Sequence, residues 1–141
     1  MNKLIQRPQR FFIFLAIVIL ISGLVNKSAV LKIDMGGFFF DLNLWTTCIF
    51  STLFYLLISV NYFSLTLTKK QPKRLLTLLH IVFQAISFIP FVYIVFTAKN
   101  LIDIDEIVRA NLILLVSFFV FVIATFIHFI NFFASLLSKK E

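Results

Sequence analysis

The sequence predicts an all-α membrane protein, a four-transmembrane-helix bundle with a short extracytoplasmic β-hairpin between helices 1 and 2. Three observations predict it. Hydrophobic residues make up 61% of the 141 residues and charged residues 13%, against roughly 45–50% and 25% in soluble domains. Leu42–Thr68, Leu75–Ala98 and Ala110–Ser138 carry no Asp, Glu, Lys or Arg over 27, 24 and 29 residues, each longer than the roughly 20 residues that cross a bilayer core. Finally, a Gly36-Gly37 pair joins two arms of alternating residues, a hairpin signal.

The first apolar run, Phe11–Val25, follows Lys3, Arg7 and Arg10. That order resembles a secretory signal, but Lys27-Ser28-Ala29 places lysine where a cleavage site needs a small residue. We read an uncleaved helix over about 11–30, with Asn26–Leu31 adding its last turn. In the hairpin, about 30–43, Leu31 and Ile33 alternate with Lys32 and Asp34 before the glycines. Phe40 and Leu42 alternate with Phe39 and Asp41 after them. Pairing about the turn sets Ile33 opposite Phe40 and Lys32 opposite Asp41, an opposite-charge pair on the outward face. Its apolar face needs the bundle or the membrane surface, because an isolated hairpin is only marginally stable.

Backbone groups in lipid must be satisfied within their own segment, so the remaining runs are read as helices over about 43–67, 75–98 and 104–138. Pro90 interrupts the third and is expected to bend it for packing. Asp103, with Glu106 three residues on, forms a capping-box pattern opening the fourth.

Charge orients the chain. Lys3, Arg7, Arg10, Lys69, Lys70, Lys73, Arg74, Lys139 and Lys140 fall on one side, against Lys27, Lys32, Lys99 and Arg109 on the other. The acids divide oppositely, with only Glu141 on the first side. By the positive-inside rule, both termini and the Lys69–Arg74 loop are cytoplasmic. The net charge of +7 therefore sits at helix ends as anchors, and nucleic-acid binding is not expected. The Phe-, Ile-, Leu- and Lys-rich composition suggests a low-GC bacterium, and hence the inner membrane.

Chemistry has few candidates. No Asp or Glu lies inside an apolar run, so proton coupling through an embedded carboxylate is not expected. The chain has no GxSxG, P-loop or HExxH pattern. Cys48 is alone, with no nearby base, and reads as a buried structural thiol. Thr77, His80, Gln84 and Ser87 share one face of the third helix, and Ser117, Ala124, His128, Asn131 and Ser135 share one face of the fourth. Polar and small residues at helical spacing form helix–helix seams. The alternative is a haem b held by His80 and His128. Counted from flanking cations, His80 lies roughly 9 Å from Arg74 and His128 roughly 16 Å from Lys139 at 1.5 Å per residue. The resulting depth mismatch of about 7 Å weighs against a shared iron.

Phe40-Asp41-Leu42-Asn43-Leu44-Trp45-Thr46-Thr47-Cys48 resembles a segment of the haem-copper oxidase catalytic subunit, D-[IV]-x-L-H-D-T-Y. It is also similar to small bacterial four-helix membrane proteins that carry this segment between their first two helices. Asp41, Leu44 and Thr47 match. Trp45, Thr46 and Cys48 stand where that family has histidine, aspartate and tyrosine, so the resemblance implies the order of elements and no catalytic residue. The function expected is that of a non-enzymatic accessory or structural subunit, with the lipid bilayer and other membrane subunits or a second copy as partners. A haem-binding protein, or a small transporter or lipid-handling protein with an interior cavity, are the alternatives.

Overall fold

A computed structural model describes residue 5 and residues 7–34, 39–97 and 104–138. Its elements run α1 (Pro8–Val25), β1 (Val30–Asp34), β2 (Phe39–Asn43), α2 (Leu44–Leu67), α3 (Arg74–Thr97) and α4 (Ile104–Leu137). Among the described residues, four helices are long and apolar enough to cross a membrane.

Helix α1 starts and ends earlier than expected. Pro8 occupies its first turn, where the preset φ of proline favours a helix start and its missing N–H is no loss. At the other end, Asn26 donates through its backbone N–H and through Nδ2 to the carbonyl of Ser22, each at 3.3 Å. Those bonds close the last turn, so Asn26–Leu31 do not continue the helix. Leu31 instead enters β1, which pairs antiparallel with β2.

The register sets Lys32 opposite Asp41 and Ile33 opposite Phe40, as the alternation predicts. Leu31 is buried, whereas Lys32 and Asp41 are exposed. β1 packs on α4 and β2 on α2. The Gly36-Gly37 turn and the Asp103 capping position lie outside the described residues.

Asn43 caps α2 by accepting the Thr46 N–H at Oδ1, 3.1 Å away. The helix ends in a Schellman motif. Lys70 N–H reaches the Leu65 carbonyl at 2.8 Å and Lys69 N–H that of Thr66 at 3.1 Å. The motif needs a left-handed residue, here Lys69 with φ 57°. Helix α3 runs through Pro90 without a break. Helix α4, at 34 residues, is about 51 Å long.

Helix α1 packs mainly on α2, and α3 mainly on α4. A heptad on α2 forms the first seam: Cys48, Thr52, Tyr55, Ser59 and Tyr62 are all buried. Gly23 of α1 lies so close that a Cβ there would come 2.6 Å from Cys48 Cβ. The thiol itself is buried and unpaired in any disulfide. Further along, Ser59 Oγ donates to the Gln9 carbonyl of α1 at 3.1 Å. Close backbone approach over small residues is how helices gain packing where lipid offers no hydrophobic drive.

Candidate functional site: a buried polar core and an adjoining cleft

The polar residues of α3 and α4 face inward and meet. Thr77, His80, Gln84 and Ser87 are buried on α3, as are Ser117, His128, Asn131 and Ser135 on α4. Asn131 joins three helices. Its Nδ2 donates to Thr77 Oγ1 at 2.9 Å and to the Tyr62 hydroxyl at 3.3 Å. Its Oδ1 accepts the Lys73 N–H at 2.9 Å and lies 3.5 Å from Ser135 Oγ. The Lys73 contact satisfies a backbone donor at the entry to α3, where no intrahelical acceptor exists.

Tyr62 places its hydroxyl 2.8 Å from His80 Nδ1. The same hydroxyl oxygen accepts from Asn131 Nδ2, so Tyr62 ties the imidazole of α3 to the amide of α4. His80 Nε2 and, one turn along α3, Gln84 Oε1 make no hydrogen bond of good geometry. They lie on one helix face. Gln84 Nε2 donates to the Tyr55 hydroxyl at 2.9 Å and contacts Ser87 Oγ at 3.3 Å. On α4, His128 Nε2 accepts from Asn61 Nδ2 at 3.2 Å, which leaves a hydrogen on Nδ1, also without a partner.

The expected depth mismatch of the two histidines is overturned. Their ring centroids are 4.9 Å apart, tilted by 34°. Arg74 and Lys139 are not level markers, because α4 runs past the start of α3. Lys70 Nζ, just before α3, donates to the carbonyls of Leu136 (2.8 Å) and Ser138 at the end of α4, a cation on a helix C-terminus. Asn131 is the residue level with the start of α3.

This proximity does not make a haem site. His80 is covered on one side by Phe12 at 4.6 Å, stacked, and by His128 on another. Haem iron bound by two histidines holds them on opposite faces of a macrocycle, and here the rings pack against each other. The residues present do not fit haem b. Among the described residues no cluster of three or more His, Cys, Asp or Glu could hold a metal ion.

Phe12, Asn61, Tyr55 and Tyr62 belong to this core and escape a reading that looks only for polar seams on the third and fourth helices. The signal for the tyrosines is present: Tyr55 and Tyr62 are seven residues apart in the heptad that begins at Cys48. Phe12 carries no such signal.

Beyond Tyr55 and Ser87, toward the hairpin, the helices part. A cleft of about 1000 Å³ lies between α2, α3 and α4, walled chiefly by Phe88, Phe91, Leu112, Leu115, Phe118 and Phe121. Three of its hydroxyls are turned back on the backbone: Ser117 to the Ile113 carbonyl at 2.7 Å, Ser87 to that of Gln84 at 2.9 Å, Thr47 to that of Asn43 at 2.9 Å. Ser51 and Tyr55 line it as well. Asn111 also lines it, and its Oδ1 has no hydrogen-bond partner.

Neither a family model, nor a curated protein, nor a solved structure matches this chain.

Proposed function

We propose that the chain is a non-enzymatic multi-pass membrane protein, an accessory or structural subunit beside a larger assembly in a bacterial inner membrane. The supporting observation is the Asn131 network. The buried polar groups bind one another across α2, α3 and α4, which locks helix positions. The outer surface fits the same role. Along α4, Phe118, Phe119, Phe126, Phe129 and Phe133 are exposed, a face suited to lipid or to a neighbouring helix.

Purification in mild detergent tests the proposal. A larger complex containing the chain and stoichiometric membrane subunits is expected. A monodisperse lone chain, obtained without partners from its native membrane, would count heavily against it.

In this reading both termini and the Lys69–Arg74 loop face the cytoplasm, following the cation distribution. In a Cys48→Ser background, Gln71→Cys is expected to react with an impermeant maleimide only in inverted vesicles. Lys27→Cys should react only in intact cells. The reverse pattern sinks the orientation.

A further inference from the structure

We propose that the cleft between α2, α3 and α4 holds the acyl part of a bilayer glycerolipid, with a hydrogen-bond-donating headgroup selected by Asn111. The inference rests on the membrane placement but not on the accessory role. Size fits a small-molecule ligand. The cleft has about 1000 Å³, at the upper end of the roughly 300–1,000 Å³ of small-molecule sites.

Chemistry points the same way. The walls are aromatic and aliphatic, and the hydroxyls of Thr47, Ser87 and Ser117 donate to their own helices' carbonyls or to the capping residue. The cleft therefore presents an apolar lining that a polar solute would not enter. Besides Ser51 and Tyr55, the polar side chain on the lining is Asn111, whose Oδ1 is an unpaired acceptor seven residues into α4 and toward the hairpin end. A rotation of that amide offers its oxygen to a headgroup hydroxyl or ammonium, the donor it lacks. A choline head has no such hydrogen. Pro90, flanked by the cleft residues Phe88 and Phe91, has no N–H to give, so the wall it shapes is not held by a full hydrogen-bond ladder.

The test is lipid retention by the full chain. Protein purified in mild detergent is exchanged into mixed micelles containing equal phosphatidylglycerol, phosphatidylethanolamine and phosphatidylcholine, repurified, and its lipid measured by mass spectrometry. Wild type is expected to keep stoichiometric lipid, with the hydroxyl or ammonium heads favoured about threefold to tenfold over choline, the range one hydrogen bond supplies. Ser117→Trp, which fills the cleft, should lose the lipid, whereas Val60→Trp on an exposed face should keep it. Asn111→Leu should keep the lipid and lose the head preference. Circular dichroism and monodispersity confirm folding, and Leu115→Trp serves if Ser117→Trp misfolds. Retention unchanged by both cleft-filling variants, or no lipid on wild type, overturns the proposal, and equal retention of all three heads overturns the role of Asn111. Failure of the chain to sediment with membranes would instead remove the placement on which it rests.

Discussion

The Tyr62 hydroxyl lies 2.8 Å from Nδ1 of His80, with both residues buried at the centre of four helices. Tyr62 comes from α2 and His80 from α3. Phe12 of α1 stacks on the imidazole and His128 of α4 closes the other side. Every helix thus contributes one ring to a single cluster, and polar bonds set how the rings meet.

Replacing Tyr62 by phenylalanine keeps the ring stack and removes the hydroxyl. His80 Nδ1 loses its hydrogen-bond partner and Asn131 one of its acceptors. The expected loss is roughly 1–2 kcal/mol, between typical buried hydrogen bonds and the smaller values found in membranes. Helicity followed through a dodecyl sulfate titration in mixed micelles measures it. An unchanged midpoint would show that the hydroxyl contributes nothing.

Asn131→Leu removes more. Lys73 N–H, Thr77 and Tyr62 all lose a partner, so destabilisation of about 3 kcal/mol is expected. Combined with Tyr62→Phe, the loss should fall short of the sum, because the two changes share one bond. Strict additivity in the same titration would contradict the network.

Gly23→Ala introduces a Cβ 2.6 Å from Cys48 Cβ and 3.2 Å from its sulfur and from Trp45 Cε3. Crowding of this kind costs about 1–3 kcal/mol. Cys48→Ala should give little relief, because the closest atom is the Cβ it keeps. Cys48→Gly should restore much of the loss. If alanine rescues as well as glycine, the contact is not the one described.

Lys69→Gly is expected to stabilise the chain by roughly 1 kcal/mol, since Lys69 holds the left-handed position of the Schellman motif at φ 57°, a conformation costly for residues with a Cβ. Lys69→Ala should give no such gain. The comparison of glycine with alanine separates backbone strain from loss of charge.

After haem-replete expression, purified protein should show no Soret band, and His80→Ala should leave the visible spectrum unchanged. A Soret band abolished by His80→Ala or His128→Ala would require the core to open around the two rings.

Much of this architecture is legible in the sequence for one reason: the properties concerned are local. The length of an uncharged run shows whether a segment suits a bilayer. Alternation about Gly36-Gly37 sets Lys32 opposite Asp41, because a one-residue slip would turn every side chain to the wrong face. Helical spacing gathers Thr77, His80, Gln84 and Ser87 on one side of α3, and His128 with Asn131 on one side of α4. What periodicity cannot supply is the slide of one helix along another. That offset depends on partners distant in the chain: Lys70 on the end of α4, Asn131 on the start of α3, Gly23 against Cys48. Those contacts bring His80 to His128, leave a cleft beyond Ser87, and exist only once the four helices are packed.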